Sequence, residues 1–167
     1  MQEAGAIIRD AVEGDLPAIL EIYNHAIATS TAVYYFDPVD LAERCRWFEA
    51  RLAAGYPVLV AEVEGMVAGF GSFGDWRVPT GYAWTVEHSV YVEQAFRGRG
   101  IGSAMLRALI ERARAIGKHV MIGGVDADNV ASLALHEKLG FRRAGHFQEV
   151  GRKFERWLDL VFEELRL

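Results

Sequence analysis

Residues 94–106 read QAFRGRGIGSAML, with Gly98, Gly100 and Gly102 at alternate positions, Arg97 and Arg99 among them, and an apolar run of helical spacing behind. Glycines so placed admit positive φ and let successive backbone N–H groups converge, and the helix start that follows adds its positive end. Such a loop binds phosphate. A Walker loop would end in Gly-Lys-Ser/Thr, whereas Gly102 runs directly into Ser103; a dinucleotide fingerprint would place a third glycine where Ser103 stands. Just upstream, Glu87 sits inside the β-rich run TGYAWTVEHSVYV. A carboxylate in mid-strand is unfavourable unless its face is wet or used, so Glu87 is the candidate general base. Strand alternation groups it with Thr85, Ser89 and Tyr91 on one face, and sets Val86, His88, Val90 and Val92 on the other.

These residues need elements to hold them. AIIRDA (6–11) reads as a strand; Asp15 is a candidate N-cap for LPAILEIYNHAIA, with Pro17 in its first turn and Leu16, Ile19, Leu20, Tyr23 and Ile27 on one face. A second helix is predicted from about Val39 to Ala54, stopping at Gly55, with Leu41, Cys45, Phe48 and Leu52 inward. PVLVAEV (57–63) and MVAGFGSF (66–73) pair through a two-residue turn at Glu64-Gly65. Residues 80–92 form the strand carrying Glu87, and a helix follows from about Gly100 to Ile116, ended by Gly117. HVMIGGV (119–125) is a strand, NVASLALHEKLG (129–140) a helix closed by Gly140, and FRRAGHF and RWLDLVFEEL complete the sheet. The order β-α-α-β-β-β-α-β-α-β-β implies an α/β fold with a mixed sheet covered by helices.

The 167 residues, 51% of them apolar, fit one domain spanning 1–167. The net charge of −5, with both signs interspersed, excludes an extended polyanion-binding surface and leaves room for a local anion site. RRAGHFQEVGRKFERW lacks the basic-aromatic interleaving of a nucleic-acid surface and reads as strands flanking a pocket with solvent-facing charges. The single cysteine, Cys45, rules out an internal disulfide and fits a reducing compartment. His25, His119 and His146 show no ligand-like spacing, so no metal is expected. The first residues lack a secretory leader, and no run approaches the roughly 20 apolar residues of a membrane span. The expectation is a cytoplasmic protein.

Arg97-x-x-Gly100-x-Gly102 after Val90-Tyr91-Val92 resembles the pyrophosphate-binding signature of the GCN5-related N-acetyltransferases (GNAT). The downstream run Asn129-x-x-Ser132-x-x-Leu135-His136-x-Lys138-Leu139-Gly140-Phe141 resembles the second cofactor segment of the same family. IYNHAIATSTAVYYFDPV, YPVLVAEVEGMVAGFGSFGDW and WTVEHSVYV resemble its phosphinothricin and methionine sulfoximine acetyltransferase group, so that the likeness covers nearly the whole chain. The resemblance implies a mostly antiparallel sheet splayed at the cofactor site, flanked by about four helices. It implies acetyl-CoA as co-substrate, held by Val90–Val92, by Arg97, Gly98, Arg99, Gly100, Ile101, Gly102 and Ser103, and by Asn129, Ser132 and Lys138.

It further implies that the amino-acid acceptor touches segments 77–79 and 87–89, that is Arg77, Val78, Pro79, Glu87, His88 and Ser89. Arg77 suits an oxidised phosphorus or sulfur group, since its planar fork presents several donors to tetrahedral oxygens. Glu87 matches the group's acidic catalytic position and takes the amine proton, directly or through water. His136 occupies the place where many relatives carry a tyrosine proton donor, and an imidazole donates if charged or in the suitable tautomer. A homodimer with the acceptor pocket near its interface is expected by the same analogy. Three readings compete: a small amino-acid N-acetyltransferase, a peptide or protein N-terminal acetyltransferase, and a non-catalytic acetyl-CoA sensor.

Overall fold

A computed structural model describes residues 5–167; part of the leader reading falls on residues 1–4, which lie outside the described residues. The elements run β1 (Ile7–Asp10), α1 (Leu16–Thr29), α2 (Leu41–Ala53), β2 (Val58–Val63), β3 (Met66–Asp75), β4 (Thr85–Val92), α3 (Ile101–Ala115), β5 (Val120–Asp126), α4 (Val130–Lys138), β6 (Arg142–Lys153) and β7 (Arg156–Arg166). This is the order read from the sequence. The seven strands make one sheet in the order β1-β2-β3-β4-β5-β7-β6. Every neighbouring pair is antiparallel except β4 with β5, which is parallel and therefore needs the α3 crossover between them. No helix among the described residues is long and apolar enough to cross a membrane.

Local chemistry accounts for the elements and for where the expectations shift. Glu64 and Gly65 both hold positive φ, 51° and 78°, as a tight hairpin turn with the right twist requires. Asp15 stands at the N-cap position of α1, but its carboxylate accepts from Val12 N–H at 2.8 Å and pairs with Arg9 at 2.7 Å, capping the preceding turn instead. In α2 the inward face differs from the expected one. Leu41 and Leu52 are 43% and 52% exposed, Cys45 is half-buried, and Arg44 is buried beside Phe48. The Arg44 guanidinium lies 4.1 Å from the Tyr23 ring centre and 4.7 Å from that of Trp47, so stacking on aromatic faces makes the cation a core residue. β4 begins at Thr85 and not at residue 80, because Thr80–Tyr82 close into a short 3-10 turn.

The sheet has two apolar faces. On one, Leu59, Ala61, Phe73, Val86 and Met121 pack against Met105, Leu106 and Leu109 of α3. On the other, Val58, Val60 and Phe70 pack against Ile19, Tyr23 and Ile27 of α1. Each large side chain so buried contributes about 1.5–3 kcal/mol relative to exposure, which anchors β4 between two layers. β6 extends past the expected strand to Lys153, with a bulge between Phe147 and Gly151 where Glu149 takes φ 52°. Charges of this segment were expected to face solvent; Lys153 is 2% exposed and contradicts that. Its ammonium finds backbone carbonyls in place of water.

Candidate active site

The parallel pairing of β4 with β5 ends after Glu87 and Ile122. Yet β4 stays paired with β3 through Val92, and β5 with β7 through Asp126. The two strands therefore diverge and open a cavity of about 450 Å³ in the middle of the sheet. His88, Ser89, Val90, Tyr91 and Val92 form its β4 edge, Gly124 to Asp126 its β5 edge. Backbone groups there face space rather than a neighbouring strand, the interruption that the resemblance implies.

The glycine loop closes one end. Gly98 and Gly100 hold φ 77° and 82°, a left-handed conformation that side chains strain. The first amide taken up in α3 is Ala104 N–H, by Gly100 O at 3.0 Å; among the described residues, none of the amides of 98–103 has a backbone acceptor. A row of free N–H groups at a helix start is an anion site. Arg97, Gly98, Gly100, Ile101 and Gly102 line the cavity, whereas Arg99 and Ser103 stand off its wall. Arg97 Nε also donates to Val92 O at 3.1 Å, which ties the loop to the end of β4.

From α4, Asn129 and Ser132 line the cavity and Lys138 does not. Asn129 Oδ1 accepts from Ser132 N–H at 3.1 Å, so the asparagine caps its own helix. His136 lies on the same wall, 3% exposed. Its Nδ1 is 2.7 Å from Ser132 O, which makes Nδ1 the protonated nitrogen of the neutral ring, as assigned from that bond. Nε2, 3.0 Å from His88 Nε2, then accepts from His88. The rings stack with centres 5.0 Å apart, and both meet the edge of Phe141. Burial, and then the neighbouring His136, push His88 down to about 3; burial also lowers His136. Neutral and mutually bonded, the pair offers the cavity no proton.

Glu87 lies on the opposite face, its Oε1 3.1 Å from where a side chain on Gly124 would begin. Burial pushes its carboxyl above the ordinary value, while Arg77 pulls it back. Arg77 itself stacks 5.0 Å from the Trp76 ring centre, and Val78 beside it is 97% exposed. Glu87, Arg77, Val78 and Pro79 do not line the cavity; Glu87 stands where the β4–β5 pairing ends, next to the lining residue His88. His88 was expected to read the acceptor with Arg77 and Glu87. The structure separates them: strand alternation sends its ring to the α4 side, where His136 holds it.

Sequence reading missed the pair of glycines that makes this possible. A side chain on Gly123 would begin 2.5 Å from His136 Nε2 and 2.8 Å from His88 Nε2. Gly123 therefore admits the histidine pair on one face, and Gly124 admits Glu87 on the other. Consecutive glycines inside the strand IGGV were the available signal. Asp126, 5% exposed at the cavity edge and accepting from Thr31 Oγ1, was also missed. Among the described residues no group of three or more His, Cys, Asp or Glu is placed to hold a metal ion.

The sequence profile described as Acetyltransferase (GNAT) family matches residues 19–141. An L-methionine sulfoximine/L-methionine sulfone acetyltransferase of Pseudomonas paraeruginosa is 53% identical, covering 97% of this chain and 95% of its own. A phosphinothricin N-acetyltransferase of Streptomyces viridochromogenes is 37% identical, covering 93% of this chain and 84% of its own. Among solved structures, a Salmonella typhimurium protein with its cofactor acetyl-CoA superimposes with TM-score 0.95 at 49% identity, over 97% of this chain and 94% of that one. A ribosomal-protein-alanine N-acetyltransferase of Brucella melitensis gives TM-score 0.95 at 48% identity, over 96% and 99%. A sheet opened between β4 and β5, a loop of free amides at one end of the opening and these matches along nearly the whole chain lead to one assignment: the chain belongs to the GNAT acetyltransferase family.

Proposed function

We propose that the protein transfers acetyl from acetyl-CoA to the α-amine of a small amino acid bearing an oxidised head group: methionine sulfoximine, methionine sulfone or phosphinothricin. The observation that carries the reading is the opening between β4 and β5, with free amides 98–103 at one end and the Glu87 carboxylate beside the other. The amides of 98–103 would take the pyrophosphate of the co-substrate, and the unpaired edges of β4 and β5 its extended arm. A side chain on Gly102 would begin 3.6 Å from Leu135 and 3.7 Å from Val92, ordinary packing distances, so the fold alone does not demand a glycine there and the fit to a closely approaching ligand supports the assignment.

Transfer needs a neutral amine, a polarised carbonyl and a stable leaving group. Glu87, its carboxyl raised by burial above the ordinary value, takes the amine proton directly or through water. A backbone N–H in Val90–Val92, freed by the missing β5 partner, polarises the thioester carbonyl. His136 was expected to protonate the departing thiolate, but both its nitrogens are engaged. In this reading it shapes the wall, and a thiolate whose conjugate acid has a pKa of about 8.5 leaves without an obligatory donor. Arg77 remains the group that meets the oxidised head. The reading carries a homodimer and a cytoplasmic location with it, and light scattering at micromolar concentration checks the first.

The Brucella relative's name favours an N-terminal alanine acceptor as the second reading. One panel separates them: kcat/KM for methionine, its sulfone, its sulfoximine, phosphinothricin and an alanine-initiated peptide, followed by CoA release. The oxidised analogues should exceed methionine by several powers of ten, because donors arranged for their oxygens stay unpaired against a thioether. Comparable values for methionine and its sulfone would end head-group recognition; turnover of the peptide alone would establish the second reading; acetyl-CoA binding without turnover of any acceptor would make the protein a sensor.

A further inference from the structure

The cavity has a third wall that neither the glycine loop nor α4 supplies. Ser30, Thr31, Ala32 and Tyr34, which follow the end of α1, line it on the Glu87 side. With the loop and α4 assigned to the co-substrate, this wall is the one left for the acceptor. Its backbone has no sheet or helix to hold it, since α1 ends at Thr29 and α2 begins at Leu41.

A single side chain replaces that support. Lys153 Nζ donates to Ile27 O at 2.6 Å, Ser30 O at 2.8 Å and Val33 O at 2.6 Å. An ammonium has three donors, and here all three are spent on backbone carbonyls. Ile27 O is one of the last-turn carbonyls that a helix leaves without an internal partner, and a positive charge there also suits the negative end of the helix. Val33 O lies in the irregular segment beyond. The ammonium, 126 residues beyond Ile27 in sequence, thus joins the end of α1 to that segment. Two further contacts fix the same wall: Thr31 Oγ1 donates to Asp126, and Tyr34 lies so close over Gly151 that a side chain there would begin 2.5 Å from its ring. Gly151 and Lys153 stand beyond the bulge of β6, and a bulge bends its strand.

From this geometry we infer that Lys153 is a positioning residue for the acceptor: by gathering the carbonyls of Ile27, Ser30 and Val33 it sets the wall Ser30–Tyr34, and with it the affinity for the amino acid, while leaving the co-substrate site untouched. The inference rests on the proposed acetyl transfer to a small amino acid. Lys153→Met keeps the length and apolar stem and removes every donor, which leaves the three carbonyls to rearrange. With methionine sulfone as probe, its KM should rise about 10- to 100-fold, the scale of a misplaced binding wall, while the KM of acetyl-CoA stays within about twofold. Lys153→Gln, a shorter chain with two donors, should give a smaller rise in the same constant. An unchanged sulfone KM in either folded variant overturns the inference, as does an equal rise in both constants, which would mark a general loss of structure.

Hydrogen exchange of the wild-type protein supplies a readout that survives misfolding of the variants and needs no turnover. The Lys153 ammonium protons, read by NMR, should exchange far more slowly than those of the exposed Lys138, because all three are bonded to backbone carbonyls; exchange at the exposed rate overturns the clamp. If the wild-type protein acetylates none of the amino acids, the acceptor reading fails by itself, and hydrogen exchange alone then decides whether Lys153 holds this wall.

Discussion

The two ends of the cleft are built by opposite means. The anion end is six consecutive residues, 98–103, whose backbone amides converge because two glycines take positive φ and a helix begins. The end proposed for the acceptor draws on Thr31 and Tyr34 after α1 and Asp126 of β5, with Glu87 of β4 and with Gly151 and Lys153 of β6 behind them. A pyrophosphate presents the same oxygens whatever is being acetylated, so a local backbone motif can serve it. An acceptor must be distinguished from its neighbours by shape and head group, and that discrimination requires side chains brought from several elements.

The comparison breaks most visibly at Glu87. Glu87→Gln keeps the shape over Gly124 and removes the proposed base, so kcat should fall by about 10²–10⁴-fold with acetyl-CoA affinity nearly unchanged. The pH dependence follows from the raised carboxyl. As the proposed base, Glu87 works when deprotonated, so kcat/KM should fall as pH drops through its pKa, and burial moves that limb upward from that of a free glutamate. The limb should vanish in the variant. Near-normal turnover of Glu87→Gln from pH 6 to 9 would hand the proton to another group. A weakened acetyl-CoA affinity, measured by calorimetry, would instead show that the two ends are not separable.

The histidine pair gives a second, smaller test, read in stability. A methyl on Gly123 would begin 2.5 Å from His136 Nε2, and that ring is held by Ser132 O and His88, so Gly123→Ala should cost about 1–3 kcal/mol in urea unfolding. The pair also ties stability to pH. His88 is lowered in the folded protein to about 3 from an ordinary 6.5. Between those values the unfolded chain binds a proton that the folded one refuses, so stability falls as pH falls through that window, by at most about 1.4 kcal/mol per pH unit for this group. His88→Phe should flatten this dependence between pH 6.5 and 4.5. An unchanged slope would mean that His88 is charged in the folded state.

What could be read beforehand divides along the same line. The glycine loop, the hairpin at Glu64-Gly65, the faces of β4 and the whole order of elements follow from neighbours in the chain, and periodicity or turn chemistry exposes them. The inward face of α2, read as Leu41, Cys45, Phe48 and Leu52, misses Arg44, because a helical pattern counts polarity and cannot see the Tyr23 ring that another helix brings to it. His88 was assigned to the acceptor although its own alternation sent it to the other face; the partner that explains it, His136, lies 48 residues away. Lys153 looked solvated for the same reason. Its acceptors are backbone carbonyls, which every residue carries and no sequence pattern marks.

The smallest expected effect separates what the fold needs from what the ligand needs inside the loop itself. Gly102 lies in the first turn of α3, where a side chain would begin at ordinary packing distance from Leu135 and Val92, and its φ is not in the left-handed region. Alanine there removes backbone freedom from the unfolded chain and should raise stability by up to about 1 kcal/mol. The same methyl projects where the co-substrate must approach the backbone, so acetyl-CoA affinity should fall by about tenfold, roughly 1.4 kcal/mol. Gly100, at φ 82°, makes the contrast: alanine at that position must strain the left-handed cap by about 1–2 kcal/mol, so stability and affinity should fall together. Thermal unfolding and acetyl-CoA titration of the two variants side by side test this. If Gly102→Ala binds acetyl-CoA as the wild-type protein does, the close approach occurs at Gly98 and Gly100 alone, and the third glycine of the motif serves only the start of α3.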